Sequence, residues 1–147
     1  MKDDLKLSGE VTLVLKDSSG KVKQTQTIKN LVVNAGLNFI TSRMQNTSKG
    51  IMSHMGLGSG TVAAAAGDTD LGSLLGSREA LDTDVVNANA LTYVCTFEAG
   101  DATGAVTEAG IFNAASGGDM LCRTVFSAVN KAASDSLAIT WVVTLSV

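Results

Sequence analysis

The sequence predicts an all-β protein: a single antiparallel β-sandwich or jelly-roll-like domain with one short helix. Apolar and polar residues alternate in several short segments. Glycine, aspartate, asparagine and serine separate those segments, and proline is absent from all 147 residues. A chain of this length buries one core, and its 45% apolar and 17% charged residues are typical of a folded protein. We therefore expect seven to nine strands in one domain.

A hairpin opens the predicted sandwich. Val11, Leu13 and Leu15 occupy alternate positions, which is typical of a strand with one buried face. Residues 17–20, Asp-Ser-Ser-Gly, form a turn signal, and a polar strand is expected from residue 21 to about residue 33.

The predicted helix follows this hairpin directly. Asn34 is expected to cap its N-terminus. The apolar residues Leu37, Ile40 and Met44 recur at the helical spacing, so they share one face. The helix is expected to end near residue 46.

A long glycine- and alanine-rich segment, residues 58–76, interrupts the strand pattern. We call this segment the excursion. It has no long apolar period, and we expect one short helical turn after Asp68. Its length exceeds that of most loops in compact domains, which indicates a loop that functions or contacts a partner.

The C-terminal half has the clearest strands. The last strand alternates strictly up to the chain end, so we place it at the centre of a sheet. The same alternation directs Val14, Val94 and Val142 away from the core, and these valines need cover from a second layer or a second subunit. The expected core residues of the two best strands are Leu91, Tyr93, Cys95, Phe97, Leu137, Ile139, Trp141, Val143 and Leu145.

The domain is expected to occupy residues 10–147, preceded by an N-terminal arm at residues 1–9. The arm has no turn or cap signal, and a free terminus of this kind orders when it binds a partner. We assign a partner-binding role to five arm residues: Lys2, Asp3, Asp4, Leu5 and Lys6. The alternative is that Leu5 and Leu7 start an edge strand of the sandwich.

Charge is distributed unevenly along the chain. Residues 1–50 hold eight basic and four acidic groups, whereas residues 51–147 hold three basic and ten acidic groups. A net charge of −3 is not typical of a nucleic-acid-binding protein, and no segment is apolar enough to cross a membrane. We therefore expect neither nucleic acid nor a membrane as a partner. The basic N-terminal third favours an acidic patch on a protein partner.

The residues that carry catalysis or bind metals are sparse, so we expect no enzyme activity, no cofactor and no metal site. His54 is the only histidine, and Gly56 to Gly60 lacks the lysine of a phosphate-binding loop. Acidic pairs such as Asp68 and Asp70 lack the spacing of a calcium loop. Cys95 and Cys122 are expected to be free, buried thiols.

Three segments carry a resemblance to known proteins. They are residues 30–40, residues 52–61, and residues 107–126, which contain Glu108-Ala109-Gly110-Ile111-Phe112. Together with the following residues to Trp141 they resemble small virion proteins of tailed bacteriophages, over about residues 28–147. A glycine in the third segment permits close packing or a bulge in its strand.

The resemblance implies a non-enzymatic head or tail component and brings no catalytic residues with it. The function expected is that of a capsid decoration, or cement, protein on the outside of the head. Its partners are then the major capsid protein and further copies of itself, as a homodimer or homotrimer. The alternative is a tail-fibre, baseplate or neck component that binds a receptor or glycan. The location is the virion, after assembly in the host cytoplasm.

Overall fold

The computed structural model describes residues 4–45 and 49–147 and confirms the all-β fold. Over those residues, two antiparallel five-stranded sheets enclose one core, and one helix accompanies them. The strands are β1 (Lys6–Lys16), β2 (Val22–Lys29), β3 (Leu31–Val32), β4 (His54–Gly58), β5 (Glu79–Ala80), β6 (Thr83–Asn87), β7 (Ala90–Phe97), β8 (Gly104–Phe112), β9 (Met120–Lys131) and β10 (Ser136–Ser146). Sheet I has the order β2-β1-β10-β7-β6, and sheet II has the order β3-β9-β8-β4-β5.

Strict alternation determines the buried face of sheet I. β10 pairs with β1 on one side and with β7 on the other, so the last strand lies at the centre of the sheet, as its pattern predicted. The inward side chains of these three strands are buried against sheet II, and each large one stabilises the fold by about 1.5–3 kcal/mol. They are Val11, Leu13, Leu15, Tyr93, Cys95, Phe97, Leu137, Ile139, Trp141 and Val143.

Asn30 divides the long polar strand that the sequence predicted into β2 and β3. The chain leaves sheet I before this residue and enters sheet II after it. The Asn30 backbone N–H donates to the carbonyl of Gly9 (3.1 Å), and its side-chain Oδ1 accepts from Trp141 Nε1 (2.8 Å). A buried indole N–H needs such a partner. Asn30, where the chain crosses between the sheets, therefore also provides the hydrogen-bond acceptor for Trp141, the largest buried side chain of the core.

The helix, α1 (Asn34–Met44), has a different N-terminus from the one predicted. Val33 is its N-cap and makes no side-chain capping bond, so the prediction that Asn34 caps the helix is wrong. Asn34 is the first helical residue, and its N–H donates to the carbonyl of Ala66 in the excursion (2.8 Å). The excursion thus provides the acceptor for a free N–H at the start of the helix, in place of a capping side chain. Phe39 packs into the core from this helix.

The first strand begins earlier than the sequence indicated. Residues 6–9 were assigned to the arm, but they belong to β1 and pair with β10, from Lys6 opposite Ser146 to Gly9 opposite Val143. The long central strand offers backbone partners over this whole stretch, and Leu7 packs against the core. Asp4 and Leu5 precede the strand, whereas Lys2 and Asp3 lie outside the described residues.

The excursion leaves β4 and returns beside it. The Ser59 N–H donates to the carbonyl of Ser73, and the Leu75 N–H donates to that of Leu57, both at 2.8 Å. The helical turn predicted after Asp68 is not formed; a turn precedes that residue at 66–67 instead. The segment is therefore a closed loop whose two limbs are joined at their base.

Candidate binding surfaces

Glu108 joins the two limbs of the excursion to sheet II. It lies on the face of β8 that is directed away from the core, yet its side chain is fully buried. Its Oε1 accepts from the backbone N–H groups of Gly60 (2.9 Å) and Ser73 (2.7 Å), and its Oε2 accepts from that of Gly72 (2.9 Å). One carboxylate therefore holds donors from the outgoing and the returning limb.

Arg123, on the neighbouring strand β9, completes this anchor. Its Nε and Nη2 donate to Oε2 of Glu108 at 3.0 and 2.8 Å, and its Nη1 donates to Asp68 at 2.8 Å. Nη2 also donates to the carbonyl of Val62 (3.0 Å). The arginine is 3% exposed, so its charge is balanced by carboxylates rather than by water. We call Glu108 and Arg123 the anchor pair.

The Glu108 carboxyl is ionised at neutral pH. Burial by itself raises the pKa of Glu108, but the N–H groups of Gly72, Ser73 and Gly60, together with Arg123, outweigh burial and lower it below its ordinary value. The pKa of Asp68 is lowered as well, first by the N–H of Ala65 and then by Arg123. These contacts all lie within the fold, so the pair holds the excursion in place.

An apolar contact fixes the excursion at a second point. Leu71 packs over β8 at Gly110, where a Cβ atom would lie 3.1 Å from Leu71 Cδ2 and 3.0 Å from Phe112 Cε2. The guanidinium of Arg78 lies 3.4 Å from the centroid of the Phe112 ring, a cation–π contact. A register irregularity between Ile111 and Phe112 accompanies the close packing. The motif was expected to give close packing or a bulge at its glycine; Gly110 has the close packing, and the register irregularity lies beyond it.

The anchor pair was not expected from the sequence. Residues 56–60 were weighed only as a phosphate-binding loop, and Glu108 was given no role of its own. The available signal was the position of each charge: Glu108 and Arg123 each interrupt a run of apolar and small residues. A charge inside a buried strand requires a partner, and two such charges of opposite sign on adjacent strands indicate an ion pair.

The outer face of sheet I, the face directed away from the core, has no such cover among the described residues. It carries mainly threonine and valine side chains, which the strand registers align in rows across the sheet. The central row is Thr27, Thr12, Thr140, Val94 and Thr83. The row on one side is Lys29, Glu10, Val142, Thr92 and Val85, and the row on the other is Thr25, Val14, Ala138 and Thr96.

The three valines predicted to face away from the core do so. Val14, Val94 and Val142 lie on the outer face, and each remains partly exposed between its neighbours. In these rows the only charged side chains are Glu10 and Lys29, which are opposite each other at one corner. The outer face is therefore a mostly uncharged surface.

A second exposed apolar surface lies at the end of the sandwich beside α1. Leu5, one of the predicted partner-binding residues, is 70% exposed, and Met44 is 85% exposed. Both line a groove of about 420 Å³ between the helix and the ends of β1 and β10. Asp4 and Lys6 are exposed next to it. The other apolar residues that line it are Leu7, Leu31, Val32, Leu37, Ile40 and Leu145.

The remaining candidate residues are engaged within the fold. His54 begins β4, and its Nδ1 lies 2.8 Å from Ser53 Oγ. Cys95 and Cys122 are free and buried; burial raises the pKa of Cys95 to about 12 and that of Cys122 well above its ordinary value. Asp70 contacts Arg78 at 3.2 Å.

In the described part of the chain, no helix has the length and apolar character needed to span a membrane, and no three His, Cys, Asp or Glu side chains are grouped so that they could hold a metal ion. Neither protein-family models, nor curated proteins, nor solved structures gave a match to this chain.

Proposed function

We propose that the protein is a non-enzymatic virion component of a tailed bacteriophage, a capsid decoration protein that binds the major capsid protein on the outside of the head. It assembles in the host cytoplasm and stabilises contacts between capsid subunits. The resemblance over residues 28–147 supports the class of protein. The observation that carries the proposal is the uncovered outer face of sheet I, which is the surface that we assign to the capsid.

The side chains of the outer face suit a structural contact. Threonine and valine are branched at Cβ and hold few rotamers, so they lose little conformational entropy when a partner covers them. Their methyl groups supply apolar area, and the threonine hydroxyls supply donors and acceptors. The rows formed around Thr12, Thr140 and Val94 present these groups on one side of the sheet.

The outer face is too small to form a stable interface alone, so residues outside it should also contact the capsid. Five strands and seven residues along them span roughly 24 Å in each direction, or about 600 Å². A stable interface needs about 800 Å² from each partner. The apolar end groove with Leu5 and Met44 supplies further area, which fits the role proposed for the N-terminal segment.

Charge gives the expected character of the partner surface. The exposed lysines Lys6, Lys16, Lys21 and Lys29 lie on β1, on β2 and in the turn between them. Exposed charges of one sign steer association and complement an opposite charge on the partner. We therefore assign an acidic patch of the major capsid protein to this side of the outer face.

Copy number in the virion tests the proposal. Quantitative densitometry of purified particles is expected to give hundreds of copies, in proportion to the major capsid protein. Purified protein is also expected to bind isolated heads that lack it. A handful to a dozen copies, with binding to tails and not to heads, would instead support the tail-fibre, baseplate or neck alternative.

A further inference from the structure

The four sheet edges are protected to very different degrees. In sheet II the terminal strands β3 and β5 are only two residues long. In sheet I the edge strand β2 carries Lys23 and Lys29. Very short edge strands and lysines are the usual protection against edge-to-edge pairing. The opposite edge of sheet I, β6, has five residues, no lysine and an unbroken register with β7.

The β6 edge offers backbone groups to a further strand. Asn87 and Ala90 enclose a two-residue turn, so they form a hydrogen-bonded pair, and Val85 with Thr92 forms the next one. The residues between these pairs, Asp84 and Val86, direct their N–H and C=O groups away from β7. All five residues of the strand are exposed, including Val85 at 57% and Val86 at 72%.

We propose that β6 pairs antiparallel with β6 of a second copy of this chain, about a two-fold axis that passes through Val85. The resulting dimer has one continuous ten-stranded sheet and two aligned outer faces. The register places Asp84 of each copy opposite Val86 of the other, and these are the residues with free backbone groups. Four backbone hydrogen bonds join the copies, and Val85 meets its own counterpart on the outer face.

Charge and the number of paired residues together favour this register. A register shifted toward the start of the strand would place Asp84 opposite itself, and like charges in opposed positions destabilise a strand pair. The register centred on Val85 places Thr83 opposite Asn87 and leaves no like charges opposed. It also pairs all five residues of each strand.

The groove beside β6 is complementary to the second copy. It has a volume of about 240 Å³ and is lined by Arg43, Ile51, Asp84 and Val86, among others. Because Asp84 of the second copy lies opposite Val86, its carboxylate reaches the side of the sheet that Arg43 lines. The pairing therefore adds an opposite charge near this arginine, and it covers Ile51, which is 57% exposed.

This inference goes beyond the proposed function: the sequence led us to expect a homodimer or homotrimer, and the inference commits to the dimer. It is tested on free protein without heads, so its failure and the failure of capsid binding are distinguishable. A monomer that binds heads would overturn the dimer alone, and a dimer that does not bind heads would overturn the capsid role alone.

The first test is the oligomeric state of the full chain, measured by light scattering after size exclusion and by sedimentation. Wild-type protein is expected to be a dimer. Val85→Lys opposes two ammonium groups across the axis and is expected to weaken the dimer at least about tenfold. Val22→Lys, at a 49% exposed valine on the other edge of sheet I, is the matched control and should remain dimeric. A wild-type monomer or trimer, or an undiminished Val85→Lys dimer, would overturn the proposal.

Cross-linking provides a test that does not depend on a disruptive charge. Opposed residues of a non-hydrogen-bonded pair are about 4.5 Å apart at Cα, within the range that a disulfide spans. Val85→Cys is expected to form a covalent dimer under mild oxidation, whereas Val22→Cys should not. Native Cys95 and Cys122 are buried and will not compete. Equal cross-linking of the two variants would contradict the pairing.

Discussion

The two sheets bury their inner faces alike, but their outer faces differ. The excursion covers the part of the outer face of sheet II around Glu108 and Gly110, and a buried ion pair, Glu108 with Arg123, holds it there. The outer face of sheet I carries the rows around Thr12 and Thr140 and is covered by none of the described segments. Desolvating an ion pair is costly, and the cost is offset here by a full set of hydrogen bonds. The chain therefore covers one outer face with its own excursion, and we interpret the other as the face presented to partners.

The largest expected effect is loss of the anchor on the covered face. Glu108→Ala leaves the Arg123 charge buried without its main partner and leaves three backbone N–H groups unsatisfied. Breaking a buried pair in this way costs about 3–5 kcal/mol. The measurement is the free energy of unfolding in urea.

The matched control for Glu108→Ala is Glu10→Ala, on the outer face of sheet I. Glu10 is exposed opposite Lys29, and removing a surface charge of this kind changes stability by less than about 0.5 kcal/mol. Similar losses for the two variants would show that the covered face is not held by the anchor pair.

A smaller effect is expected from crowding the anchor instead of removing it. At Gly60 an added Cβ would meet the carboxylate of Glu108, so Gly60→Ala forces the limb away from sheet II. Such overpacking costs about 1–3 kcal/mol. Gly67→Ala lies on the same excursion, with open space around its Cβ position, and serves as the control. The measurement is the thermal unfolding temperature of both variants. An unchanged temperature for Gly60→Ala would contradict the close contact between Gly60 and Glu108.

Acid is expected to loosen the same anchor. Contacts within the fold lower the pKa of Glu108 and Asp68 and, where Lys23 binds it at 2.7 Å, that of Asp135. Carboxyls with a lowered folded pKa contribute stability that is present above the unfolded pKa of about 4 and is lost as pH falls through the folded pKa. The free energy of unfolding should therefore decrease below about pH 4. Glu108→Gln should reduce that slope, and an unchanged slope would contradict the assignment.

The sequence predicted the inner faces well because alternation is local. The strand pattern from Leu137 to Val143 identified both its buried side and its central position, since each residue repeats the same two-residue period. The three outward valines followed from the same period. The helix was located for a similar reason, although its cap was misassigned because the partner of the Asn34 N–H is Ala66, which is distant in sequence.

The anchor pair was not predictable to the same degree because its contacts are not local. Glu108 binds backbone N–H groups of residues 60, 72 and 73, and backbone donors leave no mark in a sequence. The excursion has no apolar period, so its path over sheet II depends on the pair itself. The length of the segment indicated a function, whereas its covering role required the structure.

The smallest effect on stability is expected on the outer face of sheet I, where we expect the largest effect on binding to heads. We propose that the outer face of sheet I binds the capsid, and a substitution of Thr140, which is exposed at the centre of this face, tests that proposal. Thr140→Lys should change the free energy of unfolding by less than about 0.5 kcal/mol. Thr69→Lys, at an exposed threonine of the excursion, is its matched control.

The decisive measurement is the affinity of these two variants and the wild type for isolated heads that lack the protein. The acidic patch of the capsid is assigned to the side of β1 and β2, so a lysine at Thr140 on the central strand is buried in the contact without a partner. Because burying an unpaired charge is costly, Thr140→Lys should bind at least about tenfold more weakly than wild type. Thr69→Lys should bind as wild type does. If Thr140→Lys binds heads with undiminished affinity, or if Thr69→Lys is the variant that loses binding, the proposal that the outer face of sheet I binds the capsid is contradicted.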